Sequence, residues 1–344
     1  MSENKKNLIY VGVLVVLIAI TFTVIFQKFD FNETMGVINN SDKRWLAAGG
    51  ICNALFVVFS ALSLKVIFKS IHVKIPMRHA IKYILVEQYF CAITPSASGG
   101  QPMEMLEMKR DGIKFSSSTI ALIVIAIAYK GMLLVYVGIM ALMGKWKLVE
   151  CLGQLRWLFD LGIAMNVIAV LFMLLALFCG ESIRKTLLFL IDRIDSIHHL
   201  KRHDEHVNRV NKMMKNYREG AGYILKHKSV FYKVIIFIFL QRASRFAVTY
   251  MIYKSFGLTG TSAIDIILLQ ACVSVSADMI PIPGAVGVSE SCYLRAFKTV
   301  FGIGHVAPSM VLSRGISFYG VVVLSGLVVV ILQLGSLTVN KGKK

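Results

Sequence analysis

Apolar runs long enough to cross about 30 Å of hydrocarbon recur at roughly 8–27, 46–64, 115–143, 158–180, 231–253 and 309–338. They predict six transmembrane helices. Two more apolar regions, 79–108 and 263–301, are interrupted in the middle. The first break reads Thr94-Pro95-Ser96-Ala97-Ser98-Gly99-Gly100-Gln101-Pro102, the second Pro281-Ile282-Pro283-Gly284-Ala285-Val286-Gly287. Proline removes a backbone donor and fixes φ, and glycine loosens the chain, so neither region can be one continuous helix. Each predicts a broken helix that enters the membrane and returns to its own side.

Basic residues set the topology. Of 38 Lys and Arg, 11 lie in the single segment 181–229. With the N-terminus inside and both broken regions re-entrant, 24 bases fall in cytoplasmic segments, 9 in external ones and 5 within spans, as the positive-inside rule requires. A single crossing per broken region would put the 11 outside; two full crossings per region would keep the same sidedness. The expected fold is an all-α polytopic membrane protein of six spans plus two re-entrant hairpins, arranged as an inverted repeat. The first repeat covers 1–144 with hairpin 79–108, and the second starts with the fourth span in 145–180. The basic amphipathic segment 181–229 follows, and 230–344 with hairpin 263–301 completes the second. Broken helices in inverted repeats are a mark of transporters. A faint internal echo agrees with this. Pro95 precedes Glu104 by nine residues, as Pro281 precedes Glu290, and the bases Lys130 and Arg314, each followed by glycine, come 26 and 24 residues later.

Composition strengthens the membrane reading and narrows the partners. The 344 residues are 56% hydrophobic, with a mean hydropathy of +0.68, more apolar surface than a soluble domain of this size can hide. Only 17% are charged, yet the net charge is +19. Because the bases sit between apolar runs, they suit an anionic cytoplasmic membrane surface rather than nucleic acid. Segment 181–229 carries apolar residues at helical spacing and is expected to lie on anionic lipid, with both termini cytoplasmic. The residues after Lys5 and Lys6 read as an uncleaved first span. The six cysteines are scattered without metal-ligand spacing, and the histidines at 198, 199, 203 and 206 read as part of an interfacial charged face rather than a closed zinc site. No nucleotide-binding loop or nucleophile constellation is present, so neither cofactor nor metal is expected, and the chain is not read as an enzyme.

The charges inside apolar runs carry the candidate chemistry. An ionisable side chain at the bilayer centre costs about 2.5–3.5 kcal/mol or more. Here Glu87, Glu104, Asp278 and Glu290 face Lys130, Arg242, Arg245 and Arg314. One reading is a set of ion pairs that lock the helices; the other is a polar cavity where the two hairpin tips meet. In the second, each tip aims a helix N-terminus inward with unpaired N–H groups. Gly99 and Gly100 admit a ligand close to the backbone, Pro102 suits a first helical turn, and Ser96, Ser98 and Gln101 add polar groups. Pro283, Gly284 and Gly287 form the second tip. Such a tip attracts phosphate, with Lys130, Arg242 and Arg314 as countercharge and Arg245 as a further candidate binding residue. Glu104 and Glu290 are left to receive an amine or a coupling proton, or to pair permanently with Lys130 and Arg314, and Asp278 is a further candidate binding residue.

The two breaks, read through Met103 and Glu290, resemble the paired signatures of the lysylphosphatidylglycerol synthetase transmembrane-region family. The likeness spans nearly the whole chain. It implies a lipid flippase of the bacterial plasma membrane, like the flippase half of the multiple peptide resistance factor, which displays aminoacylated phosphatidylglycerol on the outer leaflet. It also implies a role in cationic-peptide resistance. Glu104 stands where many relatives are expected to have glutamine or arginine. The soluble lysyl-transfer domain is absent from the sequence, so the expected partner is membrane phospholipid, with a separate synthetase or a second copy of the chain left open. A membrane-embedded transferase of lipid-linked substrates is the alternative function.

Overall fold

The computed structural model describes residues 30–178, 228–278 and 280–341, with single positions at 16, 23, 189, 208 and 211. Apart from those positions and 228–229, the predicted first span and the basic segment with its histidines lie outside the described residues, as does Cys179.

Every described element is helical. A short helix α1 (Phe31–Asn40) precedes the long α2 (Lys43–Ser70). A broken pair follows, α3 (Met77–Ile93) and α4 (Gly100–Arg110), and then α5 (Phe115–Leu142). A 3₁₀ stretch at Trp146–Leu155 leads into α6 (Arg156–Phe178). The remaining part repeats the plan with the long α7 (Lys228–Ser255), a second broken pair of α8 (Ala263–Ala277) and α9 (Val288–Ala296), the single turn α10 (Lys298–Phe301), and α11 (Ile303–Arg314). A π-helical turn at Gly315–Tyr319 joins α11 to α12 (Gly320–Lys341). Asp30, Asp42 and Ser262 cap α1, α2 and α8 by accepting backbone N–H bonds, the role short oxygen-bearing side chains take at helix starts.

Five stretches are long and apolar enough to cross a bilayer: Lys43–Ser70, Phe115–Leu142, Trp146–Leu175, Ser229–Ser255 and Ile303–Leu332. They are the counterparts of predicted spans two to six. The protein is therefore an all-α polytopic membrane protein.

The long helices α2 and α7 share the most extensive interface, burying Leu64, Ile67 and Phe68 from one and Ile238, Phe246 and Ile252 from the other. Around them the packing is reciprocal. Helix α2 packs on α3 and α7 on α8; α3 then lies against α12, in the other half of the chain, and α8 lies against α5, again in the other half. The arms of each broken pair pack on each other, so the chain doubles back at each break, and the two breaks touch.

The breaks form for the reason the sequence suggests, but their register differs from the spacing argument. Thr94 and Ile282 are extended, the conformation forced on a residue before proline. Pro95–Ala97 and Pro283–Ala285 each make one 3₁₀ turn, and Gly99 and Gly287 stand at the N-caps of α4 and α9. Pro95 is thus equivalent to Pro283, not to Pro281. In that register Glu104 matches Cys292 rather than Glu290, and the nine-residue coincidence is not a structural repeat. Both turns contain left-handed residues: Ser96 and Ala97 at φ 51° and 54°, Gly284 and Ala285 at 59° and 48°.

Candidate functional site

Two adjoining chambers of about 590 and 220 Å³ open beside the touching breaks. Their walls share Cys91, Ser96, Ala97, Tyr129, Arg245, Asp278, Gly284 and Ser317. The larger continues past Glu87, Ser98, Gln101, Lys130 and Gln241 to an apolar wall of Ile84, Ile125, Met173, Val321 and Val322. The smaller runs toward Arg242, Ser289, Tyr293, Ser313 and Arg314.

Two of the four bases are committed to carboxylates. Lys130 Nζ lies 2.5 Å from Asp278 Oδ2. Arg314 donates from Nε to Glu290 Oε1 at 2.7 Å and from Nη2 to the Gly284 carbonyl at 3.0 Å, with its guanidinium 4.1 Å from the Phe318 ring centre. Glu290, fully buried, also accepts from the Gly287 N–H at 2.7 Å and the Tyr319 hydroxyl at 3.2 Å. The carboxylate therefore occupies the N-terminus of α9 that the sequence offered to a ligand. At the first tip no side chain caps α4.

The other two bases have no carboxylate within ion-pair distance among the described residues. Arg242, 5% exposed, stacks 3.4 Å over the Tyr129 ring and donates to the Tyr129 carbonyl at 3.3 Å, and its buried Nε–H has no acceptor. Arg245 lies 4.3 Å over the Phe56 ring and reaches only Asn53 Oδ1, at a long 3.5 Å. Cation–π contact offsets part of the lost hydration. A guanidinium out of water without a counter-ion remains costly by several kcal/mol, so the wall they form favours negative charge, and the planar fork of Arg matches the geometry of phosphate oxygens.

Of the sequence candidates, Ser96, Ser98, Gln101, Lys130, Arg242, Arg245, Asp278, Gly284 and Arg314 line one or both chambers. Gly99, Gly100, Glu104, Pro283, Gly287 and Glu290 line neither. The space a ligand would need beside the first two glycines is taken: a Cβ on Gly99 would press on Thr94, whose hydroxyl accepts the Gly99 N–H, and one on Gly100 would collide with Cys91 Sγ. Pro283, Gly287 and Glu290 belong to the turn and its cap, and Glu104 is buried against the first arm of its own hairpin. Of the pairings the sequence left open, Arg314 does pair with Glu290, whereas Lys130 pairs with Asp278 rather than Glu104.

Sequence reasoning named the uncharged polar groups at the first break but passed over those that the long helices bring to the same walls. Gln241 donates to the Ser60 hydroxyl at 2.6 Å, and Tyr129 supplies the platform for Arg242. Extending the search for polar residues in apolar runs from charges to amides and hydroxyls would have found Gln241 and Ser60.

Residues 9–325 match the family described as lysylphosphatidylglycerol synthase TM region. Among curated proteins, none matches the chain.

Proposed function

Because the chain belongs to the lysylphosphatidylglycerol synthase transmembrane-region family, which ties it to membrane lipid, we propose that it carries a phospholipid headgroup across a bacterial plasma membrane. In this reading the N- and C-termini are cytoplasmic. The two broken helices enter the bilayer from opposite faces, and the chambers at their meeting point are the headgroup site.

The observation that carries the proposal is the pair Arg242 and Arg245, two guanidinium groups facing the chambers without carboxylate partners among the described residues. A phosphodiester supplies the missing charge through charge-assisted bonds. The apolar side of the larger chamber, at Ile84, Ile125, Met173, Val321 and Val322, then faces the acyl chains, and Glu87 and Asp278 face an aminoacyl group if the lipid bears one. Translocation follows from exposing this site first to one face and then to the other. The touching breaks are the elements that separate to do so. The chain is thus a carrier rather than the catalyst that makes its lipid.

The test is leaflet-resolved transport in vesicles of phosphatidylcholine holding the purified chain and a trace of fluorescent phosphatidylglycerol. The double variant Arg242→Gln, Arg245→Gln is expected to lose translocation while retaining its helical content and melting behaviour. Unchanged translocation in a well-folded double variant refutes the site.

A further inference from the structure

Glu104 and Glu87 meet inside the first broken pair. Gly100 lies so close to α3 that a Cβ there would stand 3.2 Å from Glu87 Cγ. Glu104, one helical turn further on, projects from the same face of α4, and the two carboxyl groups interact electrostatically. Glu87 lines the larger chamber, whereas Glu104 is 1% exposed and lines neither.

Most of the neighbouring titratable groups have partners of their own among the described residues. From α3, the Tyr83 hydroxyl donates to Asp111 at 2.5 Å, and the Cys91 thiol points to the Ala97 carbonyl at 3.7 Å. From α5, Lys130 is held by Asp278. Tyr129, also on α5, faces Arg242. On α4 itself Glu107 pairs with Arg110 and Lys82. Glu104 Oε1 consequently has no hydrogen-bond partner among the described residues. An ionised carboxylate can only accept, so an orphaned buried oxygen next to a second carboxyl is unstable when both groups are ionised. One proton between the two groups removes the like-charge repulsion and turns one acid into a donor for the other.

We propose that Glu87 and Glu104 bind one exchangeable proton, with Glu87 as its entry from the chamber and Glu104 as its buried holder, and that H⁺ is the coupling ion of transport. A coordinated metal cation would need several oxygen ligands, and no group of three metal-binding side chains occurs among the described residues. The coupling rests on the translocase reading; the proton site does not. Its sense is electrostatic. A proton on the pair removes a negative charge from the wall of the chamber whose arginines take the phosphate, so proton and anion strengthen each other's binding by the same factor.

Two measurements on the full chain in vesicles separate these statements. Infrared difference spectra at neutral pH are expected to show a protonated-carboxyl stretch that shifts in D₂O and is lost in Glu104→Gln. An imposed difference of one pH unit is expected to tilt the leaflet distribution of fluorescent phosphatidylglycerol up to about tenfold for one proton per lipid, and Glu104→Gln to reduce that ratio to one. Glu87→Gln serves as the second variant should Glu104→Gln fold poorly. A missing carboxyl band, or one that survives both substitutions, overturns the proton site. Lipid that crosses without regard to the pH gradient overturns the coupling. A chain that moves no lipid under any gradient defeats the translocase reading, and with it the coupling, while the infrared band still decides the proton site.

Discussion

Glu290→Gln is the most informative single change, because it removes one charge and almost no volume. The side chain is 0% exposed and accepts from Arg314, Tyr319 and the Gly287 N–H. Its partner Arg314 is only 13% exposed, so water cannot readily replace the lost carboxylate. Removing one member of a buried pair costs about 3–5 kcal/mol, since the other charge is left behind. The amide keeps an accepting oxygen, and Arg314 keeps the Gly284 carbonyl, which places the loss near the lower end, about 3 kcal/mol. With roughly 2 °C per kcal/mol at the large-domain end of the usual relation, the melting temperature should fall by about 6 °C. Melting in detergent with a thiol-reactive dye reads this directly, because Cys272 and Cys292 are buried until the helices part. The double variant Glu290→Gln, Arg314→Gln should regain part of the loss. A single variant that melts with the parent, or a double variant whose loss equals the sum of the two single losses, refutes the buried-charge reasoning.

Three further outcomes follow from the geometry. Gly284→Ala should abolish transport and lower the melting temperature, because the new Cβ would run into the Phe318 ring and φ there is +59°; wild-type transport rates would show that this contact gives way freely. A small water-soluble thiol reagent should modify Cys91, which lines both chambers, much faster than the buried Cys292, as read by mass spectrometry of the labelled peptides. At the outer end of the first broken pair, burial would push the Asp111 carboxyl up, but hydrogen bonds from Lys82 and Tyr83 and the charges of Lys82 and His79 outweigh it and hold it below the usual range. Its contribution is therefore fully present above its unfolded value near pH 3.9 and lost as pH falls through the lower folded value. Asp111→Asn should accordingly flatten the acid limb of the stability–pH curve, and an unchanged limb counts against the contact.

The breaks were legible from sequence because proline and glycine act locally: Pro95 and Pro283 end their helices wherever the chain goes next. Their register was not, since Pro281 and Pro283 look alike in sequence and only the left-handed turn at Gly284 and Ala285 tells them apart. Arg314 and Glu290 lie 24 residues apart and do meet. Lys130 and Asp278 are 148 positions apart, and no periodicity could pair them. Arg242 was singled out for its charge alone, whereas its partner is the face of Tyr129. The basic segment between the halves lies outside the described residues and leaves its lipid-surface reading where the sequence put it.

The three non-glycine residues with positive φ at the two tips, Ser96, Ala97 and Ala285, have a consequence for motion. An L-residue in the left-handed region is disfavoured by about 1–2 kcal/mol, so the pressed-together arrangement holds conformational tension that parting the tips is free to release. On the proposed carrier reading, turns that favour parting suit a chain that must visit both faces; a structural anchor would do better with relaxed ones.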